Sequence, residues 1–211
     1  VESGRRRHVR PDTLSALAEA LGVTIDYLVR GVPAAAPLLD HSALLYKTEK
    51  EFLDVAGPYL AEGIGSGEAT LAVTTSANIE LLRDHLGADA KKIEFIDCEN
   101  ESMYGGPAAA LNSYRTFLNA NLENGAPWVR VVGQPAWGRS RAEVRQWVQY
   151  ESLFNLVFAA APLSVLCAYD EVSLAPGIVN QACHTHPRIV EAGEPAGSPD
   201  YVDPGGFIFG L

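Results

Sequence analysis

From His41 onward, short apolar runs alternate with segments of helical length, and this alternation constrains the fold more than any other feature of the chain. Ala43–Tyr46, Ala69–Thr75, Lys92–Ile96, Trp128–Val132 and Leu163–Ala168 read as strands. Between and after them, Glu49–Ile64, Ser76–Leu86, Pro107–Leu122, Arg141–Ala160 and Pro176–His184 read as helices. Gly57-Pro58 marks a kink point in the first helix, and Ser76 is the expected cap of the second. Parallel strands need a crossover of a dozen or more residues, usually a helix. The repetition therefore predicts an α/β domain: a three-layer, mostly parallel sheet flanked by helices. It does not specify the order of the strands.

The rest of the chain divides around this block. Residues 1–31 are a short all-α module, 32–40 a Pro/Ala linker, 41–190 the α/β domain, and 191–211 a Gly/Pro-rich tail ending in Phe207-Ile208-Phe209. No apolar run approaches a membrane span, and no signal peptide is visible. Three widely spaced cysteines argue against a disulfide framework and predict a cytoplasmic location.

The N-terminal module reads as two short helices. Asp12 or Thr13 caps the first after Pro11; Leu14, Leu17, Ala18 and Leu21 form its apolar stripe, and Gly22 stops it. Thr24 opens the second, and Gly31 ends it. Two such helices bury too little surface to stand alone. The stretch from Gly4 to Leu28 resembles the back half of the Cro/repressor-type (XRE) helix-turn-helix. That resemblance implies a DNA-binding transcription regulator, a homodimer as is usual for such regulators, with its recognition helix upstream of Val1. Charge placement fits. The net charge is −10, yet Arg5, Arg6, Arg7 and Arg10 against Glu2 leave the first ten residues at +3. Residues 32–211 carry 11 basic and 22 acidic side chains, a balance of −11, which would repel phosphates. Arg5, Arg6 and Arg7 are the candidate DNA contacts; a solvated turn explains them equally well.

The large domain carries a dispersed series of motifs. They are His41-Ser-Ala-Leu-Leu-Tyr46, the Phe52–Val73 stretch, Gly133-Gln-Pro-Ala-Trp137 with Arg139-Ser140, Tyr150-Glu151, Asn155, Cys167-Ala-Tyr-Asp170 and Thr185-His-Pro187. Together they resemble the MEDS domain, named for methanogens, methylotrophs and a dichloromethane-responsive repressor. The resemblance implies a sensor of small organic, hydrocarbon-derived ligands on a RecA-like sheet.

Ligands of open α/β sheets bind beyond the C-terminal ends of the strands. Gly133, Gln134 and Trp137 follow a predicted strand, Tyr169 ends another, and Trp137 offers a flat apolar face with one N–H. Tyr150 and Glu151 are polar positions in an otherwise apolar helix, and Glu151 shares a face with Asn155. His41 and Tyr46 flank the first strand. These eight residues, His41, Tyr46, Gly133, Gln134, Trp137, Tyr150, Glu151 and Tyr169, are the candidate ligand contacts, each with a purely structural alternative. Gly63-Ile-Gly65-Ser-Gly67 follows a helix and precedes a strand, the reverse of a phosphate loop, and no Gly-Lys-Ser/Thr occurs. No catalytic constellation stands out, so neither an enzyme nor a cofactor is expected. Besides an interaction adaptor with no ligand, in which side chains fill the sheet-end crevice, two alternatives remain. One is a RecA-like nucleotide-binding protein or enzyme. The other is a metal or redox sensor using Cys183 and His186, three apart on one helical face; two ligands do not close a zinc site, and no metal ligand is assigned.

Overall fold

The computed structural model describes residues 38–99, 106–137 and 140–209, together with the helical positions Ala16, Ala18 and Glu19. The remainder of the expected N-terminal helices, and Arg5, Arg6 and Arg7, lie outside the described residues.

The alternation becomes β1 Asp40–Tyr46, α1 Glu49–Gly65, β2 Ala69–Thr74, α2 Ser76–Leu86, a 3-10 turn, β3 Ile93–Asp97, α3 Pro107–Glu123, β4 Val129–Gly133, α4 Arg141–Val157, β5 Leu163–Asp170 and α5 Pro176–Thr185. β6 Arg188–Glu191, β7 Glu194–Gly197 and α6 Pro204–Phe209 follow. All seven strands form one sheet in the order β3-β2-β4-β5-β1-β6-β7. Every pairing is parallel except β6 with β7. The fold is thus α/β, a mostly parallel sheet between helical layers.

Strand residues alternate between faces, and the two cores follow that period. Ala43, Leu45, Val73, Val131, Val165, Cys167 and Tyr169 pack with Tyr114 of α3, Tyr150 and Phe154 of α4, and Ile178 of α5. Leu44, Tyr46, Ala72, Val132, Leu166 and Ala168 pack with Phe52 and Leu60 of α1 and Leu82 of α2. Both faces of the central strands are covered, which is why they read as continuous apolar runs.

Several boundaries differ from expectation. β1 starts at Asp40 rather than Ala43, so His41 lies within the strand and faces α4. Thr75, not Ser76, caps α2: its hydroxyl accepts from Asn78 N–H at 3.3 Å, while the Ser76 hydroxyl donates to Asp97. α1 runs on through Pro58. The Gly63–Gly67 stretch is a helix end and turn: Ser66 N–H closes α1 on Glu62 and Ile64, and Gly67 holds φ 70°. The tail contains a hairpin the sequence did not announce. Glu191 and Glu194 pair across Ala192 (φ 50°) and Gly193 (φ 82°), a two-residue turn with both residues left-handed. Alanine rarely takes that conformation, and the exposed Glu194–Gly197 has no apolar alternation, so neither strand nor turn was legible.

Candidate functional site

The β1–β5 register sets His41 opposite Val165 and Ala43 opposite Cys167. His41 and Cys167 therefore emerge on the same face, two register positions apart along the strands. Above them α4 presents Glu151, with Asn155 one turn further. His186 arrives from a different direction. α5 ends at Thr185, and extended backbone at His186 brings its ring to 4.1 Å from that of His41, on the face that α4 covers. His41 and Glu151 are 1% exposed, His186 0% and Cys167 5%.

The donor atoms of these four residues lie within 4.8 Å of one another. His41 Nε2 is 3.3 Å from Cys167 Sγ and 3.5 Å from Glu151 Oε2. His186 Nε2 is 3.4 Å from the same carboxylate oxygen, and Cys167 Sγ is 3.8 Å from it. The outer nitrogens are held elsewhere. Asn155 commits its amide nitrogen to the Glu151 carbonyl at 3.2 Å and the Thr185 carbonyl at 2.8 Å. Its oxygen must then accept, so the His41 Nδ1–H donates to it at 3.0 Å. His186 Nδ1 lies 3.0 Å from the Ala182 carbonyl, which only accepts, so this nitrogen also carries its proton. With Nδ1 committed outward, each ring presents its Nε2 to Glu151.

Electrostatics follow from burial and these contacts. Burial pushes the Glu151 carboxyl up, but His186 and then His41 outweigh it and bring it down to about 2. Burial, then the neighbouring His41, hold the His186 pKa below its ordinary value, so its ring is neutral. Burial, then Glu151, raise the Cys167 thiol well above its usual range. Burial keeps Tyr150 and Tyr169 as phenols.

A cavity of 10 Å³, room for about one water, adjoins this quartet between Tyr114, Gly133, Tyr150, Glu151, Phe154 and Cys167. A Cβ on Gly133 would sit 3.1 Å from the Tyr114 hydroxyl, so glycine is what lets that side chain close over β4. Beyond the strand ends, the Trp137 and Tyr169 rings lie 5.8 Å apart. Trp137 Nε1, the Tyr169 hydroxyl and Glu151 Oε1 are buried and meet no partner with hydrogen-bond geometry among the described residues.

The eight predicted contacts thus divide. His41, Gly133, Trp137, Tyr150, Glu151 and Tyr169 gather on the α4 side of the sheet. Tyr46 and Gln134 join a different network: Asn78 Nδ2 donates to the Tyr46 hydroxyl and to Gln134 Oε1, each at 3.3 Å, and Thr74 donates to Gln134 at 2.7 Å. Gln134 also borders the cavity. Cys167 and His186 complete the deep cluster. Cys167 reads in sequence as a small apolar residue, yet it stands two before Tyr169 on the same strand face. His186 shows helical spacing with Cys183, but the helix stops one residue short and takes it to Cys167 instead; Cys183 stays half-buried and outside the quartet.

The family model described as MEDS, MEthanogen/methylotroph, DcmR Sensory domain, matches residues 40–187, more than half of the chain. The chain belongs to the MEDS family. The match opens at the first residue of β1 and closes one residue after His186, so the MEDS region contains the whole quartet. No curated protein matches the chain. Among the described residues of this MEDS chain, no helix is long and apolar enough to cross a membrane.

Proposed function

We propose that this MEDS chain is a transcriptional regulator that senses a small organic molecule. The observation that carries the sensor reading is the family match over the sheet and its buried polar cluster. The buried Trp137 N–H, which meets no partner among the described residues, supports a ligand at the strand ends, because an unsatisfied polar group is costly to bury. The Trp137 and Tyr169 rings lie 5.8 Å apart there, and aromatic faces suit a largely apolar ligand.

Two backbone bonds beside α4 support a coupling toward the N-terminal segment. Leu38 N–H and Leu39 N–H donate to the Ala159 carbonyl at 2.8 and 3.4 Å, just after α4 ends. α4 carries Tyr150 and Glu151, so a displacement of that helix pulls directly on the linker. A ligand that favours one α4 position would shift the population of DNA-competent arrangements. The XRE-like module, with Arg5, Arg6 and Arg7 on phosphates and two chains on a near-palindromic site, is the proposed output. The protein turns nothing over in this reading.

The test uses the full chain. Short alcohols, aldehydes, halomethanes and simple aromatics are titrated against tryptophan fluorescence in wild type and Trp137→Phe. A hit should quench wild type saturably, leave the variant unresponsive, and change the mobility shift of DNA flanking the protein's own gene. A panel without any saturable response sinks the sensor reading. A fluorescent response without a change in DNA binding sinks the regulator.

A further inference from the structure

We propose that His41, Glu151, Cys167 and His186 form a four-coordinate site for a divalent transition metal, zinc in the first instance. The proposal concerns the cluster that the sensor reading also draws on, and its test reads metal uptake alone, so either reading can fail without the other.

Geometry argues for it first. Zinc binds imidazole nitrogen at about 2.0–2.1 Å, carboxylate oxygen at about 2.0–2.2 Å and thiolate at about 2.3 Å, in a tetrahedron. A tetrahedron with those arms has edges of about 3.3–3.6 Å. The four short donor separations here are 3.3, 3.4, 3.5 and 3.8 Å. The two nitrogen–oxygen separations, 3.4 and 3.5 Å, exceed the roughly 2.7–3.2 Å of a direct N–H···O bond. They are the separations of two ligands on a common ion.

Proton placement argues for it independently. The Asn155 amide and the Ala182 carbonyl hold both Nδ1 protons on the outside. This is the outer-shell arrangement that orients metal-bound histidines. Two Nε2 atoms, a carboxylate oxygen and a sulfur then converge on one point, the set of donors a borderline-soft divalent ion takes. With the Cys167 proton released to solvent, thiolate and carboxylate carry two negative charges, which a divalent ion cancels in a site sealed from water. Nitrogen and sulfur donors disfavour calcium and magnesium, which take oxygen ligands in larger number.

The experiment starts from full-length protein stripped with a chelator and titrated with cobalt(II), then zinc(II). One cobalt per chain should bind, giving tetrahedral d–d bands and a thiolate-to-metal charge-transfer band, and zinc should displace it. Cys167→Ser should abolish the charge-transfer band, while Cys98→Ala with Cys183→Ala should retain it. X-ray absorption of the zinc form should show one sulfur and three nitrogen or oxygen neighbours. Because His186→Ala and His41→Ala risk misfolding, the isosteric Glu151→Gln serves as the milder variant, with weakened cobalt binding on a folded chain. Failure of the stripped, folded wild type to take up stoichiometric cobalt or zinc overturns the site. So does a charge-transfer band that survives Cys167→Ser, or one lost with Cys98 and Cys183.

Discussion

Arg130, the second residue of β4, allows a quantitative test of how the sheet is tied to α1. Its side chain is 12% exposed and that of Glu68 11%. Arg130 grips Glu68 with two bonds, at 2.6 and 3.1 Å, donates to the Tyr59 carbonyl at 3.3 Å, and lies 4.8 Å over the Tyr59 ring. Gly63 makes the space: a Cβ there would stand 2.8 Å from the arginine Cδ. Arg130→Met keeps most of the apolar stem and leaves Glu68 with its charge and no partner. Breaking a buried ion pair costs about 3–5 kcal/mol. A site about a tenth exposed regains some water, which places the loss near the lower end, about 3 kcal/mol. The bond to Glu62, whose side chain is 69% exposed, adds little. In a domain of this size the loss lowers Tm by roughly 6–12 °C. The assay is urea unfolding followed by far-ultraviolet circular dichroism, on Arg130→Met, Glu68→Gln and the double variant. Glu68→Gln should recover about 1–2 kcal/mol in the Arg130→Met background, because a neutral amide is cheaper to bury than an unpaired carboxylate. A loss below about 1 kcal/mol for Arg130→Met, or a coupling energy near zero, would mean that water screens the pair, and the reasoning fails.

Three further outcomes are expected. Tyr59→Phe should leave stability unchanged or raise it by up to about 1 kcal/mol, since the buried hydroxyl has no hydrogen-bond partner among the described residues while the ring keeps its contact with Arg130; a clear loss in a thermal melt contradicts this. Burial, then Glu99 and Asp97, push the Cys98 thiol up to about 12, so its thiolate fraction at pH 8 is about one in ten thousand. Mass spectrometry after timed iodoacetamide treatment should therefore find half-buried Cys183 labelled before Cys98, and the reverse order counts against that burial. Ser140→Ala removes the hydroxyl that accepts from Glu143 N–H at 3.2 Å in the capping box of α4 and should cost about 1 kcal/mol in urea unfolding, whereas no change would show that the cap carries no load.

The class of fold was legible because it rests on local periodicity. Runs such as Ala69–Thr74 and Leu163–Asp170, separated by helix-length segments, leave few alternatives to a parallel sheet. Glu151 and Asn155 were legible as a pair for the same reason: four residues apart on one helix share a face whatever surrounds it. The strand order was not legible, because β1 lies between β5 and β6 through pairings more than a hundred residues apart in sequence. The β6–β7 hairpin escaped notice because Ala192 adopts a left-handed turn without the usual turn residues.

The deep cluster shows the division most plainly. The residues themselves, His41, Glu151, Cys167 and His186, are all in the sequence, and the dispersed motifs that resemble MEDS include every one of them. Local spacing nevertheless pairs His186 with Cys183, because it presumes that the helix continues. What brings His186 to Cys167 is the end of α5 at Thr185, the β1–β5 register beside it, and the α4 turn held by Asn155 to the Thr185 carbonyl. By itself the sequence determined the alternation, and with it the layers and the face each strand residue takes, since these depend only on short-range period. The tertiary structure alone decided which four donors meet, because their convergence depends on long-range register and on the exact residue at which a helix stops.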